Sequence, residues 1–192
     1  MFRTDAGGST FFFVDFDYSP KVTGAYWEFA REFNFWQNSK LSWLSVHIEY
    51  NGGLTNTISY NNAFLGGLTY SGHSANLTKF WSLSAMYKAI PGMKDVFGRS
   101  QVHTFQITGV CEINFAKRWC TFCSYFDFSR EVSAWQETEY IFVTEPQIWV
   151  NLNKIKGWEN VNLSLGSELK LSANYIEKGL YAMPAVGVKW TF

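Results

Sequence analysis

Apolar and polar residues alternate through the end of the chain, residues 180–192. One register holds Leu180, Ala182, Pro184, Val186, Val188, Trp190 and Phe192, and the other holds Tyr181, Met183, Ala185, Gly187, Lys189 and Thr191. A period of two predicts a β-strand with one apolar face and one small or polar face. A final strand that ends on an aromatic residue is typical of outer-membrane β-barrels, in which aromatic rings lie at the membrane interface. The pattern therefore predicts a lipid-embedded barrel.

Nine segments upstream have similar patterns and are separated by turn signals. The ten predicted strands are 10–18, 24–33, 41–50, 57–70, 80–90, 102–115, 119–130, 139–152, 160–172 and 180–192. Their lengths of about 9–14 residues fit tilted membrane strands, which need about 9–11, better than the ~5–6 usual in soluble sheets. In the eighth strand Pro146 cannot donate to a β-ladder, so we expect a bulge or an edge irregularity there.

The predicted connections fall into short turns and longer loops, and their alternation is typical of membrane barrels. The short ones are 19–21, 116–118 and 153–156, and the longer ones are 71–79, 91–101 and 131–138. No run of apolar residues approaches the ~18–20 that a membrane-spanning helix requires. We therefore expect an antiparallel up-and-down barrel rather than helical insertion.

Most predicted strands place apolar residues in one register and polar residues, with acids among them, in the other. In the third strand, Leu44, Val46, Ile48 and Tyr50 alternate with Ser45, His47, Glu49 and Asn51. This predicts an apolar outside and a polar, acid-bearing inside. The candidate pore-lining residues are Asp15, Asp17, Glu28, Arg31, His47, Glu49, Glu112, Tyr125, Asp127, Glu145 and Glu168.

Composition agrees with one membrane-exposed β domain over 1–192. Aromatic residues make up 19% of the chain, yet the mean hydropathy is only −0.12, as expected when one face meets lipid and the other water. The net charge is +0, which gives no electrostatic reason to expect a nucleic acid partner. The chain opens without a signal peptide, so either the signal was removed or the sequence begins partway into a longer product. We expect the second, with the first strands preceding the chain, because Met1-Phe2-Arg3 fits the end of a strand.

Several stretches resemble a known family. They are 8–15, 25–32, 46–53, 114–117, 145–152 and 189–192, including Glu145-Pro146-Gln147-Ile148-Trp149 and Lys189-Trp190-Thr191-Phe192. They resemble an uncharacterised outer-membrane barrel family, a domain of unknown function similar to the Tsx-type nucleoside-specific channels. The resemblance implies a twelve-stranded monomeric barrel with a narrow pore for nucleosides and similar small solutes. About ten of those twelve strands would be present here.

The inward acids leave two interpretations open. Carboxylates and aromatic rings could hold a neutral nucleoside by hydrogen bonds and by stacking, which contributes about 1–3 kcal/mol per base. The same charges could instead be solvated, or form ion pairs that brace the wall, because barrel interiors are polar by necessity.

Other reactive side chains do not form a recognisable catalytic or metal site. Cys111, Cys120 and Cys123 are interpreted as free thiols, since Cys120 and Cys123 would face opposite sides of a strand. His47 and Glu49 share a face about 7 Å apart, as in an acid–base pair, but a third group would still be needed. No serine lies in a nucleophile-elbow pattern. We therefore expect no enzyme activity, no metal and no cofactor.

The sequence thus predicts a passive channel for small hydrophilic solutes, with nucleosides among the candidates, in a Gram-negative outer membrane. Its expected partners are outer-membrane lipid, the solute, and the barrel-assembly machinery, which would bind the C-terminal strand ending at Phe192. One rival is a soluble lipocalin-like carrier barrel, which has the opposite polarity, apolar within and polar outside. The other is an outer-membrane barrel that is an enzyme or has only a structural role.

Overall fold

The structure, a computed structural model, describes residues 1–132, 139–175 and 178–191. In this part of the chain it contains twelve strands and two short 3₁₀ turns. The strands are β1 (Phe2–Asp5), β2 (Gly8–Tyr18), β3 (Val22–Phe33), β4 (Leu44–Thr55), β5 (Ala63–His73), β6 (Lys79–Ala89), β7 (His103–Phe115), β8 (Cys120–Arg130), β9 (Tyr140–Thr144), β10 (Gln147–Asn151), β11 (Leu163–Ala173) and β12 (Leu180–Trp190). The 3₁₀ turns are Ala116–Arg118 and Leu152–Lys154.

The strands form one antiparallel up-and-down sheet. Its order is β1-β2-β3-β4-β5-β6-β7-β8-β10-β11-β12, and β9 pairs with β11 and β8 beside this path. The predicted all-β antiparallel class is therefore confirmed. None of the helices among the described residues is long and apolar enough to cross a membrane.

By its internal contacts the chain divides into two compact units. The first comprises Met1–Tyr70, Ser84–Ile107 and Ser129–Glu139, and the second comprises Ser71–Leu83, Thr108–Phe128 and Tyr140–Phe192. Both units include parts of β5, β6, β7 and β8.

Strand pairing in the first unit sets which residues share a face. The β3–β4 register places Glu28 opposite Asn51 and Glu32 opposite His47, and the β4–β5 register places Ser45 opposite Thr69. Directly paired residues of antiparallel strands point to the same side of the sheet. We call this side the polar face, and the side that carries Phe29, Ile48, Tyr50, Phe64 and Leu68 the apolar face.

In the second unit the same division continues along β10, β11 and β12. Gln147 pairs with Glu168, which in turn pairs with Ala185, and these positions form the polar face of this unit. Val150 pairs with Leu165, which pairs with Val188, on the apolar face. The alternation predicted for the end of the chain is confirmed over β12, whereas Phe192 lies outside the described residues.

Several strand boundaries differ from the prediction. The ten predicted strands do not include β1, although Met1-Phe2-Arg3 was expected to end a strand; β1 pairs with the start of β2. The third predicted strand begins at Leu44 rather than at residue 41, because the amides of Ser42 and Leu44 donate to the carbonyls of Ser39 and Leu41 and hold residues 39–43 in a turn. The fourth predicted strand starts too early, since β5 begins only at Ala63.

The predicted eighth strand is interrupted at Pro146, as expected. It consists of β9 and β10, separated by Glu145 and Pro146. The carbonyl of Pro146 still accepts from the backbone amide of Leu169 at 3.0 Å. This break, together with β1, which was not among the ten predicted strands, accounts for the twelve strands observed.

The predicted alternation of short and long connections is wrong for the first unit. One end of its strands carries the short turn 6–7 and the long connection 34–43. The other end carries the short turn 19–21 and the longer connections 56–62 and 90–102. Short and long connections are thus mixed at both ends of these strands.

Apolar side chains also pack within the first unit. The buried cluster consists of Ala63, Leu65, Met86 and Ile90, with Met93 packed against it. Leu65 is paired with Glu49 and Ala63 with Asn51, so part of the cluster lies on the polar face. It borders the hydrogen-bonded polar residues of β4.

Candidate functional site

Three side chains of the first unit converge on Glu32 of β3. Its Oε1 contacts Nδ1 of His47 at 2.6 Å and accepts from the hydroxyl of Thr69 at 2.8 Å. Its Oε2 accepts from the hydroxyl of Ser45 at 2.5 Å. One carboxylate thus joins side chains from three adjacent strands, and Thr69 continues the chain of contacts to Ser84 at 2.8 Å.

His47 lies between two carboxylates. Its Nδ1 contacts Glu32 and its Nε2 contacts Oε2 of Glu49 at 3.0 Å. An ionised carboxylate can only accept, so the histidine ring must carry hydrogen on both nitrogens to make both hydrogen bonds. His47 is only 7% exposed. The three groups form a compact acid–histidine–acid cluster on the polar face.

This cluster explains the His47–Glu49 pair seen in the sequence. The third group is Glu32, which the period-two pattern placed on the same face but which was absent from the predicted site. Its contact with His47 depends on the β3–β4 register, which pairs the two residues directly. Within the described residues the ring nitrogens of His47 contact two carboxylates rather than a serine hydroxyl.

The polar face continues from Glu49 towards the start of β3. Asn51 donates from Nδ2 to Oε1 of Glu49 at 2.8 Å, and Tyr26 donates its hydroxyl to Oε1 of Glu28 at 2.8 Å. Asn51 is 6% exposed, and its Oδ1 has no hydrogen-bond partner among the described residues. The region is therefore rich in acceptors.

A buried lysine forms a second polar cluster in the first unit. Nζ of Lys88 on β6 donates to Oε1 of Gln106 at 2.8 Å and to Oε1 of Glu131 at 2.5 Å. The hydroxyl of Ser129 also reaches Glu131, at 3.4 Å. This lysine was not among the predicted site residues. Lys88 and Ser84 are separated by an even number of positions in β6, so they lie on the same face, and this period-two spacing is the signal that could have revealed the lysine.

In the second unit the predicted acids are bonded to neighbouring polar groups. Glu168 accepts from Nε2 of Gln147 at 2.6 Å, and Glu145 forms an ion pair with Lys170 at 2.6 Å. Asp127 accepts from the hydroxyl of Thr108.

Two further predicted residues of this unit have different surroundings. Glu112 is exposed and accepts from Nδ2 of Asn114 at 2.9 Å. Tyr125 accepts through its backbone carbonyl from the amide of Glu145 at 3.2 Å.

Arg31 was predicted to line the polar inside, but in the structure it lies on the apolar face. It pairs with Ile48 across the β3–β4 ladder, one position out of step with Glu32. Its guanidinium binds the carboxylate of Asp5 through two hydrogen bonds of 2.7 and 2.8 Å and lies over the ring of Phe33 at 5.4 Å. Arg31 therefore anchors β1 rather than contributing to the polar face.

Asp15 and Asp17 lie on the polar face of β2, where they pair with Tyr26 and Gly24. Both are exposed, in contrast to the buried residues on β4. The predicted candidates therefore fall into exposed acids at this end of β2 and a bonded network on β3 and β4.

The described residues contain neither a disulfide bond nor a metal-ligand cluster. Cys111, Cys120 and Cys123 are free and half-buried. No group of three or more His, Cys, Asp or Glu residues in the described ranges is arranged to hold a metal ion. The site is instead a hydrogen-bonding surface made of carboxylates, hydroxyls, amides and a few cations.

The structure defines an all-β antiparallel protein whose paired strands place polar residues on one face and apolar residues on the other. The chain belongs to the family described as Domain of unknown function (DUF5020), whose model matches residues 1–192. No curated protein and no solved structure matches the chain.

Proposed function

We propose that this protein is an outer-membrane β-barrel that acts as a passive channel for small hydrophilic solutes. In this proposal the apolar face contacts lipid and the polar face lines a water-filled pore. Solutes would move down their concentration gradient without a cofactor or energy coupling. The polarity of the strands is the observation that carries the proposal.

Along β4 and β6 of the first unit, polar side chains are buried and apolar side chains are exposed, the reverse of the arrangement in a soluble protein. On β4, His47 and Asn51 are buried, whereas the intervening Ile48 is 47% exposed. On β6, Ser84 and Lys88 are buried, whereas Tyr87 between them is 52% exposed. Exposing these apolar side chains is unfavourable in water and favourable in lipid.

Strand length gives independent support. The strands β2 to β8 and β11 to β12 each contain 11–13 residues. A tilted strand needs about 9–11 residues to cross the hydrocarbon core. A soluble carrier barrel would instead hold its apolar residues inside.

The chemistry of the polar face favours solutes that donate hydrogen bonds. Glu28, Glu49 and Asn51 provide acceptor oxygens, and the ring of Tyr26 lies 5.9 Å from that of Phe13 on the same face. Hydroxyl groups and flat rings match this combination. Together with the resemblance to Tsx-type channels, it makes nucleosides the first solutes to test.

The test is single-channel recording of the refolded protein in planar lipid bilayers, with nucleosides and sugars as blockers. We expect discrete conductance steps that nucleosides reduce at lower concentrations than sugars do. Conductance that sugars alone reduce would keep the channel and reject nucleosides as its solutes.

One observation favours a second candidate, a structural barrel with an occluded interior. Glu32, His47 and Lys88 are all engaged with other side chains of the polar face, as expected of groups that brace a wall. Folded protein that inserts into bilayers without conducting would favour this candidate and contradict the channel.

A further inference from the structure

Acidic side chains outnumber basic ones on the polar face of the first unit, although the chain as a whole has a net charge of +0. The polar faces of β2, β3 and β4 carry the carboxylates of Asp15, Asp17, Glu28, Glu32 and Glu49. The cationic side chains among the described polar-face residues of this unit are His47 on β4 and Lys88 on β6. Carboxylates therefore outnumber cations on this surface.

Both of these cationic groups are already bonded to carboxylates. His47 contacts Glu32 and Glu49, and Lys88 donates to Glu131. Neither group presents an isolated positive charge to a passing ion. The remaining excess on the polar face is negative.

The chain as a whole has no such excess, because 16 basic residues balance 16 acidic ones. Many of the basic residues lie in the connections between strands. They are Lys21, Lys40, Lys94, Arg99, Lys117, Arg118, Lys154, Lys156 and Lys178. The sign of the polar face therefore reflects where the charges are placed, since the net charge is zero.

Asn51 supports the same conclusion independently of the carboxylates. Its buried Oδ1 is an acceptor without a hydrogen-bond partner among the described residues, on the face it shares with Glu28 and Glu49. An acceptor in this environment favours a cation or a donor group over an anion. Donors are scarcer than acceptors in this part of the face.

From this distribution we infer that the pore is selective for cations over anions. The inference rests on the proposed channel and names the class of ion that the polar face admits. Rings and clusters of Asp and Glu side chains attract cations and exclude anions in the same way in other pores. A surface of one sign within a narrow cleft also concentrates its field.

The experiment is the K⁺ to Cl⁻ permeability ratio, obtained from the reversal potential in planar bilayers under a KCl gradient. We expect a ratio of about fivefold or more, because one unit charge a few ångströms from an ion in water changes its local population by about that factor. Raising the salt concentration should lower the ratio through screening.

A double variant tests whether the polar face causes the selectivity. Asp17→Asn with Glu28→Gln removes two charges and keeps oxygen acceptors, and should move the ratio towards one. Glu139→Gln with Glu159→Gln removes the same charge at exposed positions outside the polar-face strands and should leave the ratio unchanged. Asp17→Asn alone, at an exposed position, should shift the ratio less in the same direction and is the variant least prone to misfold.

The outcomes separate this inference from the proposed function. A conducting pore with a ratio of one or below overturns cation selectivity and leaves the channel intact. An equal shift in the control variant assigns the effect to net charge and also overturns the inference. Folded protein that does not conduct overturns the channel and the inference together.

Discussion

At the scale of single residues, Glu32 shows how one carboxylate can fix the register of three strands. It accepts from Ser45 and contacts His47 on β4, and it accepts from Thr69 on β5. A shift of one residue in either pairing would turn these partners to the opposite face. A shift of one residue would therefore break all of these contacts.

Removing this carboxylate should destabilise the protein strongly. Glu32→Ala leaves His47, Ser45 and Thr69 without their shared acceptor, and loss of one partner of a buried ion pair costs about 3 kcal/mol. The measurement is urea unfolding in detergent micelles, followed by tryptophan fluorescence. Glu112→Ala is the control, because Glu112 is exposed and its carboxylate accepts from Asn114 at the surface. A similar loss of stability in both variants would contradict the role of Glu32.

The connection between β6 and β7 contains a pH-sensitive carboxylate. Hydrogen bonds from the backbone amides of Arg99 and Phe97, both 2.9 Å to Oδ1, hold the pKa of Asp95 below its usual range. A lowered folded-state pKa means that Asp95 stabilises the connection at neutral pH. This contribution is lost only as the pH falls below the ordinary value of 3.8, through the folded-state pKa.

Amide hydrogen exchange of Phe97 and Arg99 measures this effect. We expect protection that is constant at neutral pH and declines only in strong acid, after correction for the intrinsic exchange rate. Asp95→Asn should weaken the protection at neutral pH and remove the acid-dependent step. Protection that declines already above pH 5 would contradict the assigned carboxylate.

At the scale of strands, the period-two pattern predicted where polar and apolar residues separate, but not which strands meet in which register. It placed Glu32 on the face of Glu28, whereas its contact with His47 depends on a pairing between strands. The prediction that Arg31 lines the polar face is wrong because it followed the charge of the side chain rather than its position in the strand. Its partner Asp5 lies 26 residues earlier in the chain, so the pattern within one strand could not predict their contact. The predicted irregularity at Pro146 is confirmed, because proline lacks the backbone N–H in any structural context.

Gly67 and Gly66 on β5 provide a test of how closely the strands approach. A Cβ atom at Gly67 would lie 2.1 Å from the carbonyl oxygen of Ala85. Because this oxygen belongs to the backbone of β6, it cannot move aside as a flexible side chain could. At Gly66 the nearest contact would be the carbonyl oxygen of His47 at 3.9 Å, an ordinary separation. The sequence gives no sign of this difference between two adjacent glycines.

Gly67→Ala should therefore lower the free energy of unfolding by about 2 kcal/mol, as expected for overpacking. Gly66→Ala should change it by less than about 0.5 kcal/mol. Urea unfolding of both variants in the same detergent provides the comparison. Equal tolerance of the two substitutions would mean that β5 and β6 are further apart than the structure indicates.

At the scale of the whole molecule, membrane insertion and water solubility make opposite predictions for exposed apolar residues. Leu68 lies near the middle of β5 and is 49% exposed, whereas Phe97 lies in the connection 90–102 and is 77% exposed. In water, an arginine at either position would be solvated. In a bilayer, only the position at the centre of a strand would bring the charge into hydrocarbon.

Leu68→Arg should destabilise protein folded in lipid vesicles by about 2–4 kcal/mol, the cost of arginine on the lipid face at the midplane. Phe97→Arg should change the stability by less than about 0.5 kcal/mol, because this connection would lie outside the hydrocarbon. Denaturant titration of both variants in phosphatidylcholine vesicles measures the difference. If Leu68→Arg is as well tolerated as Phe97→Arg, the exposed apolar face does not contact lipid. That result would exclude both the channel and the structural barrel. It would favour a water-soluble sheet that buries this face against another protein.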